Sequence, residues 1–180
     1  ELSMTPYRLA LLRSFTVEPL VPLMRAAAFA SGINLAVQVG DFNVYVQEIL
    51  KPHSNLYKFE PDAVIFAIQA RDLLPDLWYR FADLSREEVE KAIERTRKDF
   101  SEWIETFRYY SKAHLIIHGL EMPLRASAGI LDAQGELSQA EAFHRVNEGM
   151  RTVARKYQGV YILDYDALIA LHGRLRWHDE

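Results

Sequence analysis

The chain contains 180 residues, of which 49% are apolar and 26% are charged, a size and composition that suit one globular domain with a full hydrophobic core. The net charge of −4 gives no reason to expect nucleic-acid binding, which needs a basic surface. The absence of cysteine excludes disulfides, thiolate metal sites and a cysteine nucleophile. Because no apolar run approaches the roughly 20 residues that cross a bilayer, and the amino terminus has no signal-peptide pattern, we expect a cytoplasmic protein without a membrane partner. We also expect residues 1–180 to be a single domain excised from a longer multidomain protein.

The first half of the chain predicts strands that alternate with helices. The predicted elements are strands over residues 9–12, 35–39 and 63–68, helices over residues 20–31 and 44–50, a polar connection over residues 51–60 and a loop over residues 69–84. Gly32 suits the end of the first helix, and Asn43 suits the N-cap of the second. A loop as long as residues 69–84 after a central strand is often functional.

The second half continues the same alternation. The predicted elements are a helix over residues 85–107, a strand over residues 114–118, a long loop over residues 119–137, a helix over residues 138–157, a strand over residues 159–163, a short helix over residues 164–171 and a basic tail over residues 174–178. Two capping boxes, Ser85 with Glu88 and Ser138 with Glu141, mark the starts of the two long helices.

This alternation defines the fold class. Strand and helix alternate five times without an internal repeat, which is typical of βαβ units and a parallel sheet. The sequence therefore predicts an α/β protein, a three-layer α/β/α sandwich of flavodoxin-like type around a five-stranded parallel sheet. The order of the strands is left open.

Ser14 is the first candidate for chemistry. It follows the predicted first strand, and open parallel sheets place their ligands at the carboxyl ends of the strands. A serine nucleophile needs a base to take its proton and donors to receive the oxyanion. The alternative is that Ser14 and Thr16 only cap the first backbone N–H groups of the following helix.

Further candidates follow the second and third strands at the same rim of the sheet. The residues proposed for substrate or oxyanion binding are Gly40, Asn43, Gln69 and Arg71. Arg71 could hold a carboxylate or phosphate by two parallel hydrogen bonds. The alternative for Arg71 is a salt bridge to Asp72 or Asp41, and the alternative for Asn43 is the helix cap.

His178 is the candidate base near the end of the fifth strand, and the alternative is a surface histidine beside Trp177. For His118, which ends the fourth strand, a core or capping histidine is favoured over a catalytic one. The histidines lack metal-ligand spacing, and a Gly-X-Gly-X-X-Gly motif is absent. We therefore predict no metal site and no cofactor in this domain.

The segment Leu12-Arg13-Ser14-Phe15-Thr16 resembles the first sequence block, Gly-Asp-Ser-Leu-Thr, of the SGNH (GDSL-type) esterases. This resemblance implies that Ser14 is the nucleophile, that Gly40 matches the glycine of the second block and that residues 69–72 match the Gly-X-Asn-Asp of the third. The chain departs from the family pattern in three ways. The Gly-Asp before the serine is absent, Arg71 replaces the oxyanion-hole asparagine, and no Asp-X-X-His occurs in the chain.

A second resemblance covers nearly the whole chain. Residues 11–20, 47–50, 57–64 and 177–179 are similar to the amino-terminal, SGNH-like domain of FkbH-type proteins. In that family the domain precedes a haloacid-dehalogenase (HAD) type domain, and the protein loads a glyceryl unit from 1,3-bisphosphoglycerate onto an acyl carrier protein in polyketide biosynthesis. The HAD motif Asp-X-Asp-X-Thr is absent, since residues 164–168 have both aspartates without the threonine. The resemblance therefore implies that the phosphate and thioester chemistry belongs to a downstream domain.

Three functions remain open from the sequence. The first is an acyl-handling domain that uses Ser14 within a glyceryl-loading transferase. The second is a non-catalytic module that docks the acyl carrier protein or the HAD-type domain. The third is a binding domain for a small phosphate or carboxylate ligand that uses Arg71 and the turn at Gly40.

Overall fold

A computed structural model describes residues 3–177, and its strands form one sheet. The strands are β1 (Thr5–Arg13), β2 (Ile33–Val39), β3 (Ala63–Ala67), β4 (His114–His118) and β5 (Val160–Leu163). They lie in the order β2-β1-β3-β4-β5, and β1 pairs in parallel with both β2 and β3. The predicted five-stranded parallel sheet and α/β class are confirmed.

The helices follow the predicted alternation, with additional short turns. They are α1 (Leu20–Ala30), α2 (Tyr45–Leu50), α3 (Asn55–Lys58), α4 (Ala70–Leu73), α5 (Pro75–Tyr79), α6 (Arg86–Tyr110), α7 (Gln139–Ala154), α8 (Tyr165–His172) and α9 (Arg174–Trp177). Short 3₁₀ helices occupy Phe81–Asp83 and Gly129–Gln134. No helix of the described residues is both long enough and apolar enough to cross a membrane.

The chain divides into two compact units. The first unit comprises the residues up to Ile68 together with Trp103–Ile117 and Tyr157–Tyr161. The second unit comprises Gln69–Glu102, His118–Lys156 and the residues from Ile162 onward.

In the first unit, β1 is the strand around which the core is built. Leu9 pairs with Val37 of β2 and with Ala63 of β3, so the backbone of β1 is hydrogen-bonded on both sides. Leu9 and Leu11 are buried in a cluster with Val17 and Ala63. The apolar run that predicted this strand is therefore its buried part, and the strand extends further towards the amino terminus.

The start of α1 does not use the predicted side-chain caps. The N–H groups of Leu20 and Val21 donate to the carbonyl oxygens of Val17 and Glu18 at 2.9 and 3.1 Å. Pro22 has no N–H to satisfy. The interpretation of Ser14 and Thr16 as caps of this helix is therefore wrong, because the turn before the helix already supplies backbone acceptors.

The N-cap of α2 is Val44, so the prediction that Asn43 caps this helix is wrong. Asn43 instead has a φ of 57°, a left-handed conformation that asparagine tolerates better than most residues. Its N–H donates to the carbonyl oxygen of Arg13 at 3.2 Å. Asn43 therefore serves the turn between β2 and α2.

The predicted loop over residues 119–137 contains a 3₁₀ helix, and the predicted basic tail contains α9. Two further segments predicted to lack secondary structure contain short helices. The connection over residues 51–60 includes α3, and the loop over residues 69–84 includes α4, α5 and a 3₁₀ turn. Pro75 begins α5, a position where its missing N–H costs nothing. These helices have four or five residues each, which is too short to produce a visible helical period in the sequence.

Both serines cap the helix starts where this was predicted, and Ser85 forms the full capping box with Glu88. Ser85 and Glu88 bond reciprocally: the Ser85 N–H donates to the Glu88 carboxylate at 2.8 Å, and the Glu88 N–H donates to the Ser85 hydroxyl at 3.3 Å. At α7, the Glu141 N–H donates to the Ser138 hydroxyl at 3.0 Å. The capping residues therefore fix the starts of the two longest helices.

In the second unit, Asn147 of α7 holds the chain that leaves β4. Its side-chain oxygen accepts the Leu120 N–H at 2.7 Å, and its side-chain nitrogen donates to the Leu120 carbonyl oxygen at 2.8 Å. Asn147 is 4% exposed, so both bonds replace lost contacts with water. One amide side chain thus satisfies both backbone groups of Leu120.

We predict that Asn147→Ala lowers the free energy of unfolding by about 2–4 kcal/mol, because it leaves a buried N–H and a buried carbonyl oxygen without partners. Urea denaturation measures this loss. Asn34→Ala, at an exposed position of β2, is the matched control and should change the stability by less than about 0.5 kcal/mol. Equal effects of the two substitutions would contradict the structural role of Asn147.

Candidate functional site

Ser14 directly follows β1 in the first unit, at the carboxyl end of the strand. Its N–H donates to the carbonyl oxygen of Ala67, the last residue of β3, at 3.0 Å. Ser14 is only 1% exposed. The serine therefore lies where the sequence places it, and a reagent reaches its hydroxyl only when neighbouring residues move.

Arg13 connects Ser14 to the turn that contains Gly40 and Asn43. Its side chain donates to the Gly40 carbonyl oxygen at 3.0 Å, and its own carbonyl oxygen accepts the Asn43 N–H at 3.2 Å. Gly40 approaches β1 so closely that an added Cβ would lie 3.2 Å from the Leu11 carbonyl oxygen. The first unit therefore brings Ser14, Gly40 and Asn43 into adjoining turns.

The Gly40 N–H donates to the Leu11 carbonyl oxygen at 2.8 Å. A backbone N–H that is already engaged in this way would have to leave its partner before it could stabilise an oxyanion. The oxyanion-binding role of Gly40 stays a prediction. For Gly40 to take this role, the hydrogen bond between its N–H and the Leu11 carbonyl oxygen would have to break.

The second unit contains a pocket of about 150 Å³ that includes two of the predicted site residues. Its lining residues are Gln69, Arg71, Trp78, Glu121, Tyr165, Ile169 and Trp177. The pocket combines a cation, an acid, an amide and aromatic rings. Such a mixture is typical of a small-molecule site, where apolar walls surround a few polar groups.

Arg71 is the basic residue that lines this pocket. Its Nε donates to the side-chain oxygen of Gln69 at 2.9 Å. Among residues 3–177 the two Nη nitrogens have no hydrogen-bond or ion-pair partner, so the predicted salt bridge to Asp72 or Asp41 is not formed. Two parallel N–H donors remain for a ligand, which is the geometry that a carboxylate or phosphate requires.

Glu121 is the buried acid of the pocket and is 3% exposed. Its two carboxylate oxygens lie 3.2 and 3.1 Å from the N–H of Ala70, which donates to them. Burial raises the pKa of the Glu121 carboxyl above its ordinary value, against the opposing effects of this N–H and of the Arg71 charge. The acid is therefore held in a fixed place beside α4.

Tyr165 and Trp177 form an aromatic wall of the pocket. The Trp177 ring nitrogen donates to the Tyr165 hydroxyl at 3.1 Å, and the two rings meet edge to face at 5.9 Å. The Tyr165 ring also stacks on His118, with 4.7 Å between the ring centres. Burial raises the pKa of Tyr165, so its phenol stays neutral at ordinary pH.

An ion pair holds the helix that carries Trp177. Arg174 donates through both Nη atoms to the Asp166 carboxylate at 2.7 Å each, and Asp166 also accepts the Met122 N–H at 2.8 Å. Burial acts to raise the pKa of Asp166, but the bonds from Arg174 and Met122 keep it below its ordinary value. This pair anchors α9, and with it Trp177, to α8.

Glu121 and Tyr165 were not predicted as site residues from the sequence. Glu121 stands between Leu120 and Met122, three residues after the end of β4. These apolar neighbours indicate burial of the segment, but they do not indicate a binding role for the carboxyl group. His178, the predicted base, lies outside the described residues. Among residues 3–177, no three histidine, aspartate or glutamate side chains lie together in a way that could hold a metal ion.

Three solved structures share the fold of this chain. The N-terminal part of protein BF1531 from Bacteroides fragilis, which contains a phosphatase domain, matches 98% of this chain with a TM-score of 0.80 and 17% identity. The gut microbial diltiazem-metabolizing enzyme BT4096 matches 98% with a TM-score of 0.63 and 16% identity. A GDSL-like lipase from Parabacteroides merdae matches 98% with a TM-score of 0.53 and 12% identity.

The chain spans 45% of the first of these structures, 40% of the second and 88% of the third. No protein-family model matches the chain, and no curated protein matches it. At these identities the comparisons establish the architecture. The chain therefore has the predicted SGNH-like α/β fold, and it is similar to the N-terminal part of a protein with a phosphatase domain.

His118 gives the second unit a pH-dependent stability. Burial lowers the pKa of His118 from 6.5 to about 4. Between these two pH values the imidazole is protonated in the unfolded chain and neutral in the folded chain. The contribution of His118 to the stability is fully present above pH 6.5 and is lost as the pH decreases towards 4.

We predict that acidification from pH 7 to 4 lowers the free energy of unfolding of the unsubstituted protein by about 3 kcal/mol more than it lowers that of His118→Gln.

Urea denaturation at a series of pH values measures this difference. The control is His144→Gln, on an exposed position of α7. If His118→Gln follows the same pH profile as the parent, the proton-linked loss does not come from His118.

Proposed function

We propose that this chain is the SGNH-like domain of an FkbH-type glyceryl-loading protein, and that it contributes a binding site for a small acidic ligand. The whole protein would prime an acyl carrier protein from 1,3-bisphosphoglycerate, and a HAD-type domain would perform the phosphate chemistry. The sequence resemblance supports this proposal. The fold shared with the N-terminal part of a phosphatase-domain protein supports it further.

The observation that carries the binding role is the Arg71 guanidinium in the pocket of the second unit. Its Nε is fixed by Gln69, while its Nη atoms have no partner among residues 3–177. A fixed guanidinium loses little conformational freedom when a carboxylate or phosphate binds. The arginine that stands where esterases have the oxyanion-hole asparagine thus supports ligand binding.

We predict that Arg71→Met weakens the binding of d-glycerate and of inorganic phosphate by about tenfold or more, because a charge-assisted bidentate contact contributes roughly 1.5–3 kcal/mol. Isothermal titration calorimetry measures both affinities. Arg80→Met is the matched control, because Arg80 is exposed and pairs with Asp76 and Asp83 at the surface. Equal binding by the parent and Arg71→Met would remove the case for this site.

A second proposal concerns Ser14 as an acyl-handling nucleophile. Its position directly after the central strand β1, beside the turn of Gly40 and Asn43, supports this role. His178 is proposed as its base. The alternative is that the domain docks the carrier protein or the HAD-type domain without catalysis, and the burial of Ser14 supports this alternative.

If Ser14 is the nucleophile, a small fluorophosphonate should label the parent and fail to label Ser14→Ala. Ser14→Ala should also slow the loading of the acyl carrier protein by the intact protein, measured by mass spectrometry of the carrier. Thr16→Ala is the control, because Thr16 is exposed in the same turn. Unchanged loading by Ser14→Ala would exclude nucleophilic catalysis and leave the docking role.

A further inference from the structure

The pocket of the second unit contains two opposite charges that do not pair with each other. Arg71 and Glu121 both line it, and the Arg71 charge lowers the pKa of Glu121 while burial raises it. Within residues 3–177, however, no ion pair joins them, so their charged atoms lie more than 4.0 Å apart. A basic and an acidic side chain therefore line the same small cavity without pairing with each other.

A ligand with a single negative charge fits this pocket poorly. Arg71 attracts it, but Glu121 in its charged form repels it, and Asp72 adds to the negative charge near Glu121. A ligand with a negative and a positive end meets a partner at each end. The charges of the pocket therefore favour a zwitterion over a plain anion.

The aromatic lining favours a positive group beside Glu121. Trp78, Tyr165 and Trp177 all line the pocket. The faces of such rings attract ammonium groups, and tryptophan attracts them most strongly. Aromatic rings and a carboxylate together are a recognition chemistry for an amine.

The size of the cavity limits the ligand. A volume of about 150 Å³ holds about five water molecules at roughly 30 Å³ each, which corresponds to a ligand of about five to eight non-hydrogen atoms. Small α-amino acids have this size. In them the carboxylate and the ammonium group are attached to the same carbon atom, so both charges fit within one short cavity.

We infer that the pocket of the second unit binds a small α-amino acid, with its carboxylate on Arg71 and its ammonium group at Glu121 among the aromatic rings. This inference rests on the proposed function, which assigns the acidic end of the ligand to Arg71. It adds that Glu121 determines which acids are accepted.

The test compares serine with glycerate, because the two molecules differ only in an ammonium group in place of a hydroxyl group. Calorimetric titration of the full chain with l-serine and with both enantiomers of glycerate measures the preference. We expect serine to bind about tenfold or more tightly than glycerate, because it adds a charge-assisted contact. Glycerate that binds as tightly as serine would overturn the inference while leaving the proposed acid-binding role intact.

Variants separate the two ends of the ligand. Glu121→Gln keeps the shape of the side chain and removes its charge, so it should abolish the serine preference and leave glycerate binding within about threefold of the parent. Arg71→Met should weaken the binding of serine and of glycerate to a similar extent. Arg80→Met should change neither.

The pattern of failures distinguishes the two proposals. If neither serine nor glycerate binds the parent, the acid-binding function fails and the inference falls with it. If both bind and Glu121→Gln retains the preference for serine, the role of Glu121 is wrong. Because the serine–glycerate comparison is made on the parent protein, it decides the ligand class even if Glu121→Gln does not fold.

Discussion

The pairing of β1 on both sides is the constraint on which the first unit depends. Its backbone groups bond to β2 and β3, and its apolar side chains fill a cluster that includes Val17 and Ala67. A strand that is bonded on both sides and buried cannot shift its register without exposing that cluster. The position of Ser14 after the strand and the position of the Gly40 turn beside it are consequences of this register.

Elements that depend on neighbouring residues could be predicted from the sequence. Local sequence patterns predicted the buried parts of β1 and β3 and the helix start at Ser85 and Glu88. These patterns can be recognised because they involve residues that are a few positions apart. The order of the strands could not be predicted, since it depends on pairing between distant segments. The short helix α4 was missed because its four residues contain no period to detect.

The residues of the candidate pocket likewise include some that the sequence predicted and some that it did not. Gln69 and Arg71 could be found because they follow a buried strand, and parallel sheets place ligands at that end of their strands. Glu121 could not, because its environment is created by the N–H of Ala70, which is 51 residues away in the sequence. A residue that becomes informative only through a distant partner requires coordinates.

The ion pair of Arg174 and Asp166 bears on how fast a molecule could leave the pocket. One wall of the pocket, Trp177, belongs to a four-residue helix that this pair holds to α8. A helix of that length has little stability of its own, so the ion pair rather than the helix itself keeps Trp177 in the pocket wall. The residence time of a molecule bound in this pocket would then follow the lifetime of the pair.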